Sequence, residues 1–223
     1  MRYFWTGCMG VLLGSWLFWN MAYIFPVKQV MVVTDGLYSP PGVFEQAVAS
    51  AFPFGYMDTT QKIRQVVEKT DWVHQMVVKK QFPGRWWLRI TTRKPVLQWS
   101  EGRNMLDSYG HLMSVDVPKN MRGLPKAHVP LEQRRKLFQL WKLLNDHEKS
   151  LCRRLESVFF TDFEEWELVF SGSIKVKLGG SHTLERMQLF IRLVKQWDVL
   201  RSKSGHVFDF RYKNGFSHRV VKR

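Results

Sequence analysis

Seven histidines, two cysteines and an adjacent pair of glutamates are the residues whose types suit metal binding or catalysis. Such chemistry needs convergence: imidazoles one helical turn apart to grip zinc, or a nucleophile with a base in reach. His74, His111, His128, His147, His182, His206 and His218 are widely separated, and none forms H-x-x-x-H or H-E-x-x-H spacing. There is no G-x-S-x-G elbow, Walker A sequence or G-x-G-x-x-G, and Gly179-Gly180 reads as the turn before a helix. Cys152 precedes Arg153 and Arg154, whose charge would lower a thiol pKa, but no motif pairs it with a histidine and it reads as a helix-end residue. Glu164 and Glu165 have the types for acid and base roles, yet at the start of the Trp166 strand they read as a solvated strand entrance. No catalytic residue, cofactor or metal is expected, and a binding or scaffolding module is.

The elements that position such a module start with a span. Tyr3 to Val27 carries no charged side chain, and residues 3–25 are long enough, at about 1.5 Å per residue, to cross a hydrocarbon layer of about 30 Å. A cleaved signal peptide has a shorter apolar centre and a small-residue cleavage triplet, neither of which is seen here. Tyr3, Trp5, Trp19 and Tyr23 suit interfacial belts. The sequence therefore predicts a two-residue cytoplasmic stub (1–2), a retained single-pass anchor (3–25) and an exported remainder. Cys8 in the anchor and Cys152 outside it have no common phase in which to pair. Thirty-four Lys and Arg against nineteen Asp and Glu give +15, dispersed from Lys28 to Arg223. That balance suits a solvated cationic surface or attraction to anionic lipid or wall polymer, and nucleic acid is not expected outside the cell.

Past the anchor the fold class reads as α+β. Gln29–Thr34 alternates as a strand closed by Asp35-Gly36; Pro40-Pro41 opens a short helix through Phe44 and Val48; Asp58 and Gln61 have capping-box spacing ahead of a second helix with Ile63, Val66 and Val67. Trp72–Phe82 and Trp87–Thr92 then form two strands around Pro83-Gly84. Strand, helix, helix, strand, strand makes a small sandwich with both helices on one sheet face. Beyond it the pattern predicts a mixed domain with a largely antiparallel sheet and two main helices. Strand segments fall at Leu97–Trp99 and Met105–Leu112, with hairpin turns marked at Glu101-Gly102 and Tyr109-Gly110, then a proline-rich loop at Pro118–Pro130 and a helix at Leu131–His147 with Leu137, Leu140, Trp141 and Leu144 on one face. A hairpin, Trp166–Phe170 and Ile174–Leu178, turns at Ser171-Gly172-Ser173, and Ser181 caps a helix carrying Leu184, Met187, Phe190, Ile191 and Val194. A final hairpin, Val207–Tyr212 and Phe216–Val221, turns at Asn214-Gly215.

Four stretches in order resemble the FtsQ/DivIB cell-division family: Phe25-Pro26-Val27-Lys28-Gln29-Val30; Trp72-Val73 leading to Phe82-Pro83-Gly84 and Leu88-Arg89-Ile90; Arg93-Lys94-Pro95-Val96-Leu97-Gln98-Trp99; and Phe208 to Phe216, similar to the family's D-L-R-Y-x-x-G. The resemblance implies a POTRA domain at residues 28–94 and the family's β domain at 95–223. It also implies a noncatalytic protein of the bacterial inner membrane, type II and single-pass, with periplasmic domains gathered at the septum. Its implied partners are FtsB and FtsL, with FtsK, FtsW, FtsI and FtsN through the POTRA domain or the span. The family's cytoplasmic tail is longer than the stub here.

A terminal hairpin leaves an edge to which a partner strand can add through main-chain hydrogen bonds. That edge is expected at Phe216, Ser217, His218, Arg219, Val220 and Val221, with Arg211, Tyr212, Asn214 and Gly215 in the partner-binding region by the family match. Lys213, Arg219, Lys222 and Arg223 would deter self-pairing and favour an acidic partner. Against this, Asp209 and Arg211 also read as an internal ion pair and Tyr212 as a half-buried core residue. The membrane-proximal strand, through Val30, Val32 and Thr34, is a second candidate edge. Rival functions are a POTRA-containing envelope assembly or secretion factor, or an anchored protein binding anionic wall polymer.

Overall fold

The computed structural model describes residues 29–35, 38–51, 60–81, 85–99, 104–115, 121, 123–147, 151, 153–196, 204–213 and 215–221. The stub and span expected at 1–25 lie outside the described residues, as do Asp58, Cys152, Asn214, Lys222 and Arg223. Among the described residues no helix is long and apolar enough to cross a membrane. The chain divides between Arg93 and Lys94 into two compact units.

In the first unit β1 (Gln29–Thr34), α1 (Val43–Ser50), α2 (Thr60–Glu68), β2 (Val73–Gln81) and β3 (Arg85–Thr92) follow in the order read from the sequence. β3 is central, parallel to β1 and antiparallel to β2. Its alternation decides the layering: Trp86, Leu88, Ile90 and Thr92 are buried while Arg85, Trp87, Arg89 and Thr91 are exposed. Phe44 and Val48 of α1 and Ile63 and Val67 of α2 are buried with the inward set, so both helices cover one face. α1 starts at Val43, because Gly42 sits at φ 77°, a left-handed conformation that glycine adopts without a Cβ penalty.

The second unit is a nine-stranded sheet in the order β12-β11-β10-β9-β8-β7-β4-β5-β6. Its strands are β4 (Pro95–Trp99), β5 (Asn104–Asp107), β6 (Leu112–Ser114), β7 (Lys126–His128), β8 (Leu155–Phe160), β9 (Trp166–Phe170), β10 (Ile174–Gly179), β11 (Gly205–Asp209) and β12 (Ser217–Val221). Three neighbour pairs are parallel, β4 with β7, β7 with β8, and β10 with β11; the others are antiparallel. A parallel neighbour needs a crossover, and the two main helices, α3 (Arg134–Asn145) and α4 (Thr183–Gln196), lie in the β7–β8 and β10–β11 connections. Leu137, Leu140 and Leu144 of α3 enter the core. On α4, Phe190 sits 5.8 Å from Phe170, 5.5 Å from Phe208 and 6.1 Å from Phe210, ring centre to ring centre.

Several expectations change. The proline-rich loop contains β7, which is three residues long with only Ala127 buried; pairing with β4 and β8 makes it a strand, not its side chains. β8 was not anticipated, since only Val158 of its six residues is fully inside. Leu131–Gln133 is a 3₁₀ turn ahead of α3. The α4 cap is not Ser181: the His182 carbonyl accepts the first bond, from Arg186 N–H at 2.9 Å, and the Thr183 hydroxyl donates to the Gly180 carbonyl at 3.1 Å. The β9–β10 turn is as read, with Gly172 and Ser173 at positive φ.

A candidate partner-binding edge

The last two strands do not form a two-residue hairpin at Asn214-Gly215. β11 ends at Asp209, which stands opposite Ser217, so residues 210–216 are a longer connection. Asp209 causes the stop. Its carboxylate accepts the Arg211 backbone N–H at 3.1 Å and holds the guanidinium from Nη2 at 2.7 Å and Nε at 3.0 Å, turning the chain out of the ladder. The hydrogen bonds and charge of Arg211 hold the Asp209 carboxyl below the usual carboxylate range despite its burial, and in turn push the Arg211 guanidinium up. Phe210 keeps one more bond to β10, its N–H to the Lys177 carbonyl at 2.9 Å, and its ring is buried.

Arg211 is thus the clasp of this connection. Its Nη1 also reaches Glu165 at 3.2 Å, and Arg186 of α4 donates to the Arg211 carbonyl at 3.4 Å and to the Leu178 carbonyl at 2.7 Å. Space for Arg186 exists because Gly179 has no side chain: a Cβ there would lie 2.7 Å from Arg186 Nη1. That Glu165, read from the sequence as a solvated strand entrance, and Arg186 meet at Arg211 was missed at the sequence level. They lie 46 and 25 residues from Arg211, and no local spacing signals such a pair. Of the two readings of Asp209 and Arg211, the internal ion pair is observed, whereas Tyr212 is exposed (59%) and not half-buried.

β12 is the end strand of its sheet, paired with β11 on one side and with no strand on the other among the described residues. Its inward side chains graduate along the strand. Phe216, just before it, stacks on Phe210 at 5.2 Å; His218 stacks on Phe208 at 4.6 Å and bonds His206 at 3.0 Å; Val220 is 52% exposed. Ser217, Arg219 and Val221 are exposed on the other face. Burial, then the positive charges of His218 and Arg153, lower the His206 pKa. Beside the edge, Arg186 and Arg192 of α4 and Tyr212, Lys213 and Gly215 line an open groove of about 590 Å³ whose one acid is Glu185. Its cations outnumber its acid, so it suits a negatively charged segment.

The structure therefore gathers Arg211, Tyr212, Gly215, Phe216, Ser217, His218, Arg219 and Val220 at one end of the sheet, while Asn214 lies outside the described residues. Val30, Val32 and Thr34 sit on β1, an end strand of the smaller sheet, and point toward its half-buried side. Among the described residues no group of three or more His, Cys, Asp or Glu could hold a metal ion.

Residues 96–211 match the family model "Cell division protein FtsQ/DivIB, C-terminal". The chain belongs to the FtsQ/DivIB family. That match covers β4 through the Arg211 clasp and ends one residue before Tyr212, so β12 lies beyond it. Cell division protein FtsQ of Methylomonas methanica is 23% identical over 213 residues, covering 92% of this chain and 84% of that protein. FtsQ of Escherichia coli is 23% identical over 215 residues, 92% of this chain and 78% of the relative, and FtsQ of Neisseria gonorrhoeae is 23% identical over 207, 91% and 82%. Membership of the FtsQ/DivIB family places the chain in cell division.

Proposed function

We propose that this chain is a noncatalytic, single-pass divisome scaffold of the inner membrane. Its two units stand in the periplasm at the septum, the first a POTRA domain and the second the β domain. It recruits FtsB and FtsL by accepting a strand on β12 and links early division proteins to septal wall synthesis. FtsK, FtsW, FtsI and FtsN are the partners assigned to the POTRA domain or the span. The observation that carries the reading is the end position of β12, whose outer flank pairs with no strand among the described residues and lies beside exposed Val220, Tyr212 and Arg219. Strand addition takes affinity from backbone hydrogen bonds and specificity from neighbouring side chains, and here these offer an aromatic anchor in a cationic surround.

The test is capture of FtsB by the full chain and by Tyr212→Ala and Arg219→Glu variants, with folding checked by circular dichroism. Both well-folded variants are expected to lose FtsB, and undiminished capture would contradict the reading. A fluorescent fusion should form mid-cell bands. A uniform envelope signal would favour a secretion factor or a wall-polymer binder.

A further inference from the structure

The helix-free face of the first unit's sheet is apolar at its centre and basic around it. Four large apolar side chains stand on it: Met31 (40% exposed), Val33 (42%), Val77 (43%) and Trp87 (43%). They are one patch, because the register sets Met31 beside Trp87, Trp87 beside Lys79, and Arg89 between Val33 and Val77. The other outward positions of the three strands are Gln29, Gln75, Gln81, Arg85 and Thr91. No acid occupies any of them, and among the described residues none of Lys79, Arg85 and Arg89 is engaged by one. The Trp87 indole N–H donates to Gln81 at 3.2 Å, so the ring lies with its polar tip already satisfied.

An exposed apolar cluster of this kind on a small unit marks a contact surface. We propose that this face docks on an anionic lipid bilayer, with Trp87, Met31, Val33 and Val77 entering the interface and Lys79, Arg85 and Arg89 meeting the headgroups. Three features commit the face to lipid. Tryptophan beside aliphatic side chains on a cationic, acid-free surface is the composition that interfacial anchoring requires. A hydrophilic anionic polymer would use the cations and leave the four apolar side chains without a role. The uncharged run Tyr3–Val27 ends two residues before Gln29 of β1, so on the membrane-anchor reading above, on which this inference rests, at most about 14 Å of chain separates β1 from the end of the span at residue 25.

Docking on its own sheet face would fix the orientation of this unit against the bilayer, leaving its helix face turned away. The two contributions are separable: the anchor sets distance, and the face sets orientation.

The experiment uses the full chain reconstituted in vesicles of phosphatidylcholine alone or mixed with phosphatidylglycerol. Cys8 and Cys152 are replaced by serine, and single spin labels are placed at Val33→Cys, Val77→Cys and, as a control on exposed α2, Gln65→Cys. Flotation resistant to alkaline carbonate reports the anchor independently of the face. Collision with dissolved oxygen against a water-soluble nickel chelate reports label depth. The expected result is membrane-depth contact at positions 33 and 77 but not 65, stronger with phosphatidylglycerol. Combined Lys79→Gln, Arg85→Gln and Arg89→Gln substitution is expected to lower the docked-to-free ratio roughly a hundredfold while the chain still floats. Labels at 33 and 77 as water-exposed as the one at 65, in a chain that floats, would overturn the inference and leave the anchor intact. Loss of carbonate-resistant flotation would instead remove the anchor reading. Labels that are immobilised without lipid contact, increasingly so at higher protein density, would mark a protein partner on this face and also overturn it.

Discussion

The nine-stranded sheet ends in two strands that handle the same hazard differently. At one end β6 is three residues long, and its turn is pinned by Asp107, which is fully buried and accepts the N–H groups of Tyr109 at 2.9 Å and His111 at 2.8 Å. Gly110, at φ 84°, lies where a Cβ would strike the Phe138 ring at 2.9 Å, so the corner is packed down onto α3. At the other end β12 is five residues long, with Val220 and Val221 exposed and the exposed Arg219 just before them. Short edges are a protection against stray pairing, and a longer edge guarded only by charge admits a partner while resisting its own kind. One sheet thus has a closed end and an open end, and only the open one is flanked by the Arg211 clasp and the cationic groove.

The largest effect expected is at the closed end. Asp107→Ala strands two backbone donors and should cost about 2–4 kcal/mol of stability in urea titration, with FtsB affinity unchanged in the folded fraction. An affinity loss would mean that the two ends are not independent.

Next comes proline at Arg219 and, separately, at Val220. Adjacent residues of an end strand turn their N–H groups to opposite sides, one to β11 and one outward. Proline on the inward position should lower stability by about 1–3 kcal/mol, and proline on the outward one should leave thermal unfolding in place yet weaken partner binding at least about tenfold. Equal loss of binding at both positions without unfolding would contradict main-chain pairing.

Tyr212→Ala should then raise Kd about thirtyfold by calorimetry, the equivalent of about 2 kcal/mol for an exposed aromatic anchor, with no change in unfolding.

The smallest effect is a pH dependence that arises at the open end. The folded chain lowers the His206 pKa, so the unfolded chain binds this proton more readily. Stability from this group is whole above the ordinary histidine value of about 6.5 and declines as pH falls below it. His206→Gln should flatten that limb in unfolding measured between acid and neutral pH, and an unchanged limb would contradict the assignment.

The contrast between the ends also shows what a sequence discloses. Alternation over Trp166–Phe170 and Ile174–Leu178, with glycine at the turn, fixed the central hairpin because its side chains and its backbone demand the same register. The helix-period stripes of α3 and α4 were legible for the same reason. β7 was not, since its three residues are held by neighbours from either side and carry little pattern of their own. At the candidate site the position of β12 could be read from its place after a turn signal. The way the chain turns could not: Asn214-Gly215 suggested a tight hairpin, but Asp209 leaves the ladder earlier, and the clasp it forms draws on Glu165 and Arg186, brought close only by the fold.

The most direct test of the open end is hydrogen exchange of individual backbone amides in the full chain, with and without FtsB. Alternate amides of Ser217–Val221 should exchange rapidly in the free chain and become protected in the complex, with those of Leu112–Ser114 unchanged. Amides of β12 that are all slow before FtsB is added, or that gain no protection when it binds, would contradict the account.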